Sequence, residues 1–443
     1  MSDINQISSI LAAKSPAISI INGRLIDPAN DIDQNMDLHL KNGKIVALGN
    51  APDDFIAEQV IDAKGKVVCP GLIDLRFRLR EPGYETRGTI ATETRAAVAG
   101  GVTALCCPPD TDPIIDNAAM VKLIRLKAET EGVAKVYTLS ALTQQLKGEK
   151  LSEMRELKDA GCVGTTNALK PVKSTLVMRR ALEYAASHDI TVFIQAFDPW
   201  LSDGCAHEGA VSTRLGLAGI PVSAETIAIA RDLQLIELSG AKAHFCQLSS
   251  AKAVQLIQQA QQDGLPVSAD VTAHHLHLTE MDIGYFDSNC HVMPPLRTQR
   301  DQEALRQAVK SGVISSIVSD HQPHSSDAKL APFAETEAGI SGVETLLPLA
   351  LKMIDSHDMS LSEVITRLTV QPANTLNLPE GTLGLGADAD VCIFDPEAYW
   401  VVDREKLLSQ GKNTPFHGWE LKGKVTYTIK SGEVVFATET LVD

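Results

Sequence analysis

The run Leu72-Ile73-Asp74-Leu75-Arg76-Phe77-Arg78-Leu79 decides the fold. It is the first of eight short apolar runs, the others being 102–107, 135–139, 162–166, 191–195, 243–247, 267–271 and 314–319. Helix-compatible segments follow them, among them 117–131, 173–187, 224–238, 252–263 and 302–311. Eight strand-then-helix units fit a TIM-type (β/α)8 barrel better than a doubly wound sheet. Strand side chains alternate with period 2, so Arg76, Arg78 and Arg80 are expected on one face and Leu75, Phe77 and Leu79 on the other.

Outward from the barrel, both chain ends read as short strands punctuated by turns such as Asn22-Gly23, Asp27-Pro28 and Lys64-Gly65. The expected organisation is an N-terminal tail (1–15) and an α/β barrel (69–384). A small discontinuous β-sandwich domain is built from 16–68 plus 385–438.

A chain of 443 residues, 44% hydrophobic, can bury a large core. The net charge of −16 opposes nucleic acid and anionic membrane as partners. Eight cysteines form no Cys-x-x-Cys pair, and reduced buried thiols are expected. The N-terminus lacks a basic leader pattern and no apolar run reaches a membrane span, so a cytoplasmic location is expected.

Function in such a barrel sits at the C-terminal ends of the strands. Those ends carry Arg76 and Arg78, Asp110, Asn167, Gln195, Gln247, and Asp320 with His321 and His324. A His-x-His pair at the first position could bind a cation through neutral imidazoles. Arg-x-Arg cannot, because guanidinium stays protonated and has no lone pair to offer. His244, His274, His275 and His277 are expected to be satisfied or exposed histidines, without an acid or cysteine cluster converging on them. Glu335 and Glu337 read as a solvated loop.

Six motifs then carry a resemblance over roughly residues 18 to 436. They are Pro70-Gly71-Leu72-Ile73-Asp74, Leu79-Arg80-Glu81-Pro82-Gly83, Gly100-Gly101-Val102-Thr103, Pro294-Pro295-Leu296-Arg297, Asp320-His321-Gln322-Pro323-His324 and Asn413-Thr414-Pro415-Phe416. The chain resembles the dihydroorotases of the amidohydrolase superfamily. That resemblance implies a zinc site of two first-strand histidines, a fourth-strand carboxylate or modified lysine, two further histidines and a final aspartate. The matching positions hold Arg76 and Arg78, Thr166-Asn167-Ala168, Gln195, Gln247 and Asp320. Only Asp320 keeps a ligand type, and one carboxylate cannot replace the three or so protein ligands of a catalytic zinc. The family's substrate-binding arginine and histidine match Arg80 and His324, whereas its two asparagines fall on Asp110 and Met293.

The expectation is therefore no metal, no cofactor and no catalytic residue, with a vestigial pocket plugged by the arginines. Arg76 and Arg78 are expected to bond Asp320 and the carbonyls of Gln195 and Gln247. The resemblance further implies a non-catalytic subunit that supports aspartate carbamoyltransferase in pyrimidine synthesis, as a homodimer within a larger hetero-oligomer. The alternatives are an active cyclic amidohydrolase with an atypical metal site, and a free-standing scaffold.

Overall fold

The computed structural model describes residues 15–438, so all but the last residue of the expected N-terminal tail lies outside the described residues. Eight parallel strands form the barrel: β1 (Leu72–Asp74), β2 (Val102–Cys107), β3 (Lys135–Ala141), β4 (Gly164–Thr166), β5 (Val192–Gln195), β6 (Ala243–Cys246), β7 (Val267–Thr272) and β8 (Ser316–Val318). They are hydrogen-bonded to one another in chain order. The TIM-type barrel expected from the alternating runs is thus the observed architecture.

The seam between β1 and β8 is closed by side chain and loop. The buried Asp74 carboxylate accepts the Ser319 N–H at 3.2 Å and the Ser319 hydroxyl. Above it, Phe77 bridges His321 in parallel, and the Arg78 N–H donates to the His321 carbonyl at 3.0 Å.

The first strand is shorter than its apolar pattern suggests. Asp74 Oδ1 also accepts the Arg76 N–H at 3.2 Å, a local side-chain bond that turns the backbone out of the ladder. Strict two-face alternation consequently fails after Asp74. Leu75 joins the barrel interior with Ile73, Ala104 and Phe193, while Phe77 and Leu79 join the outer core. Arg80 adopts φ +65° and leaves the face of Arg76 and Arg78.

Helices start where small polar residues can cap them. Asn117, Ser174, Ser250 and Thr298 each accept a backbone N–H three residues on, opening helices Ala118–Glu131, Thr175–Ser187, Ala251–Gln262 and Gln299–Ser311. Two motif glycines permit close packing. A Cβ on Gly71 would meet Thr103 Oγ1 at 2.0 Å, and one on Gly101 (φ +82°) would meet Cys392 Sγ at 2.6 Å.

Outside the barrel lie a four-stranded sheet from residues 18–62 and a six-stranded sheet drawn from both chain ends. In the latter, Val67–Pro70 pairs with Val391–Phe394 and so lies wholly in the sheet, moving the boundary expected at 68/69 to Pro70. Ile18, Leu38 and Ile61 from one sheet share a core with Leu25, Val391 and Ile429 from the other, as a sandwich requires. All eight cysteines are buried and free. No helix among the described residues is long and apolar enough to cross a membrane.

Candidate functional site

The chemistry of the barrel mouth centres on Asp320, held at φ +45° just past β8 and only 2% exposed. Arg78 Nη1 donates to Asp320 Oδ1 at 3.2 Å and Arg78 Nε to Asp110 Oδ2 at 2.9 Å, so one guanidinium spans two carboxylates. Arg76 Nε stands 3.4 Å from the same Oδ1, an ion pair without hydrogen-bond alignment. Gln322 Nε2 donates to Asp320 Oδ2 at 2.7 Å, which occupies the other oxygen. Burial raises the Asp110 carboxyl, but Arg78, Arg76 and Arg80 outweigh it and hold the group below its usual range.

Arg80 faces away from this cluster. Its Nε donates to the Pro323 carbonyl at 2.9 Å and its Nη2 lies 3.2 Å from His324 Nε2. Burial and the neighbouring Arg78 lower its guanidinium to about 10. The same burial, with Arg80 alongside, lowers His324 to about 2, so that imidazole is neutral. Asn413 braces the segment: its Oδ1 accepts the His324 N–H at 2.9 Å, and its Nδ2 donates to Gln322 and Gly339 carbonyls.

Three expected members of the pocket behave differently from the sequence reading. Asn167 turns into its own loop, accepting from Thr143 Oγ1 and donating to the Leu146 and Lys170 carbonyls. Gln195 Oε1 and both amide atoms of Gln247 are buried without a hydrogen-bond partner, so the arginines do not bond them as expected. The guanidinium fork of Arg78 is directed at the two carboxylates, whose charge outbids neutral amide carbonyls. Met293 is half-buried beside a cis bond to Pro294.

A buried histidine–glutamate contact that the motifs did not assign lies behind the mouth. His321 Nε2 is 2.8 Å from Glu93 Oε2, both fully buried, and Ser409 Oγ donates to the same oxygen at 2.7 Å. His321 also stacks on Phe77 at 4.4 Å. Its signal in the sequence was the acid in helix Ile90–Ala99, which pattern alone could not pair with a residue 228 positions away.

The histidines divide into two groups. His275 and His277 are hydrogen-bonded to Thr272 and to the Leu349 carbonyl, and burial lowers both, with His274, to about 3. His244 corrects the expectation that no acid or cysteine converges on these residues: its ligand atoms, Cys246 and Asp270 lie within 4.8 Å of one another. Both ring nitrogens are already engaged, Nδ1 with Ser268 Oγ at 2.7 Å and Nε2 with Asp270 Oδ2 at 2.9 Å. Asp270 Oδ1 accepts the Gln247 N–H at 2.6 Å, and burial pushes the Cys246 thiol well up, away from the thiolate a metal needs. A second acidic trio, Glu380, Asp388 and Asp390, surrounds Lys135 Nζ at 3.3, 2.9 and 2.6 Å. At the mouth itself two cations stand where a metal's ligands would be, so the donor set does not suit zinc.

A family model described as Dihydro-orotase-like matches residues 65–253, and one described as Amidohydrolase family matches 341–436. The chain is 50% identical over 418 residues to a "Dihydroorotase-like protein" of Pseudomonas aeruginosa, covering 94% of this chain and 99% of the relative. It is 43% identical over 419 residues to a "Dihydroorotase" of Syntrophus aciditrophicus, covering 94% and 98%. Among solved structures, L-hydantoinase (dihydropyrimidinase) from Arthrobacter aurescens superposes with a TM-score of 0.86 over 95% of this chain and 96% of that one. At 24% identity that likeness speaks for the fold alone.

Proposed function

Since the chain belongs to the dihydroorotase-like family of the amidohydrolase superfamily, we propose that it is a non-catalytic member. In this reading it supports assembly and activity of aspartate carbamoyltransferase in pyrimidine synthesis, in the cytoplasm. The observation that carries the reading is the pairing of Arg76 and Arg78 with Asp320. A family member with fixed guanidiniums in place of metal ligands keeps its scaffold and loses the means to activate water. A retained scaffold without that chemistry suits a subunit role, and the family resemblance supplies the transcarbamoylase as partner.

The test compares transcarbamoylase activity and particle size with and without this chain, alongside a dihydroorotate hydrolysis assay. Gain in transcarbamoylase activity or mass without dihydroorotate turnover supports the proposal; turnover by the purified chain removes it. The second reading, an enzyme with an atypical metal, draws on the His244, Cys246 and Asp270 cluster and on relatives named dihydroorotase. Its signature would be turnover abolished by Asp270→Asn.

A further inference from the structure

The side chains that close the top of the barrel hold a set of polar atoms with no hydrogen-bond partner. They are Arg76 Nε and Nη2, Arg78 Nη2, Gln195 Oε1, and Gln247 Nε2 and Oε1. All four side chains are buried, and they stand in one layer. Phe193 and Cys246 point into the barrel interior, so Gln195, two residues past Phe193 on β5, points inward one level nearer the mouth. Gln195 is level with Cys246 in the register of β5 and β6, and Gln247 follows next in the chain. The Arg76 guanidinium lies beside the Cys246 thiol and shares Asp320 Oδ1 with Arg78.

Buried donors and acceptors left unpaired cost stability, and their arrangement says what would meet them. Nε and Nη2 form the side-on edge of a guanidinium, whose two parallel N–H groups match the two oxygens of a carboxylate. This chain uses that edge elsewhere: Arg24 Nε and Nη2 donate to the two oxygens of Asp33 at 2.7 and 2.9 Å. On Arg76 the same edge has no aligned acceptor. The adjacent Asp320 has Oδ1 taken by Arg78 and Oδ2 by Gln322. Asp110 is engaged by Arg78 Nε, and Asp270 by His244 and the Gln247 N–H. Arg78 Nη2 and Gln247 Nε2 add two donors, and the two glutamine carbonyl oxygens supply acceptors. Hydrogen bonds do not pin the Gln247 amide, which leaves it able to turn aside, and the Asp110 side chain, 25% exposed, opens the layer to solvent beside Arg78.

We propose that this layer binds the carboxylate of a small molecule, held side-on by the Arg76 Nε and Nη2 edge. An O–H or N–H next to that carboxylate would donate to Gln195 Oε1. Arg80, at the position matching the family's substrate-binding arginine, is no part of it, since its Nε is on the Pro323 carbonyl. The inference rests on the reading that arginines rather than a metal fill the mouth, and it does not depend on the transcarbamoylase partnership.

The experiment takes the full chain, first assayed for zinc and dihydroorotate turnover, and titrates it with sodium glycolate, bicarbonate, acetate and chloride at constant ionic strength. Heat of binding and Tm are followed together. Glycolate or bicarbonate is expected to bind saturably and more tightly than acetate, which lacks the second donor. Which of the two binds tells an organic acid from hydrated carbon dioxide. Arg76→Lys keeps the charge and loses the fork, and is expected to weaken that binding at least tenfold. Gln247→Met is expected to weaken it while the Tm of the free chain falls no lower, because its amide has no partner to lose. That second variant keeps the test open if the lysine variant does not fold. Chloride or acetate binding as tightly as the other two, or unchanged binding in both variants, leaves an adventitious ion only and overturns the proposal. Failure of a zinc-free, inactive chain to bind any of them overturns it too and leaves the non-catalytic reading standing. Zinc or turnover in the purified chain overturns that reading and this site with it.

Discussion

Asp320 explains why the arginines come as a pair. A buried carboxylate deprived of its cation is costly, and Arg78 serves Asp110 with the same guanidinium. Arg78→Met is expected to destabilise the chain by about 3–5 kcal/mol in urea unfolding, the range for breaking a buried pair. Arg78→Met with Asp320→Leu is expected to cost less than the two single changes summed, because the stranded charge is gone. Additive costs would mean the pair is not coupled. Arg76→His with Arg78→His is expected to restore neither zinc binding nor dihydroorotate turnover, since Asn167, Gln195 and Gln247 remain non-acidic and non-imidazole; recovered turnover contradicts this. The arginine substitution was legible because a motif fixes the position and residue chemistry does the rest. The rotamers of Asn167, Gln195 and Gln247 were not, because each is set by neighbours distant in sequence. The convergence of Cys246 and Asp270 on His244 was hidden likewise, spread across adjacent strands.

At the scale of elements, strand and helix positions followed the apolar runs and their caps, and the misses lie at ends. Asp74 ended β1 early by capturing a backbone N–H, a side-chain effect that periodicity does not register. The turn after β7 gives a pH prediction. His274, His275 and His277 titrate near 3 when folded because burial disfavours the cation, against about 6.5 when unfolded. Each therefore contributes stability that is full above about pH 6.5 and lost as pH falls toward 3. Asp74 works the other way. Burial raises it to about 7 against an unfolded value near 3.9, so its contribution is present at acid pH and lost as pH rises through 7. Urea midpoints should show an acid limb that is shallower in His277→Gln, and a loss between about pH 4 and 7 that Asp74→Asn removes. Unchanged limbs in these variants would contradict the assignments.

For the whole molecule, the two-ended β unit was visible in the sequence as matching strand patterns at both termini, and the barrel as eight repeats of one pattern. The exposure of Tyr285, Phe286 and Leu330 was not visible, because isolated apolar residues in a polar connection carry no periodicity. The proposed role treats the barrel as a scaffold held by its own ion pairs. Prolonged chelation should consequently leave both the Tm and the support of transcarbamoylase activity unchanged; a drop in either would reveal a structural metal. The most direct test of the central claim is the zinc content of the chain purified from zinc-supplied cells, measured by plasma mass spectrometry for wild type and Asp320→Asn. The account predicts no stoichiometric zinc in either. Stoichiometric zinc in the wild type that disappears in Asp320→Asn would contradict it.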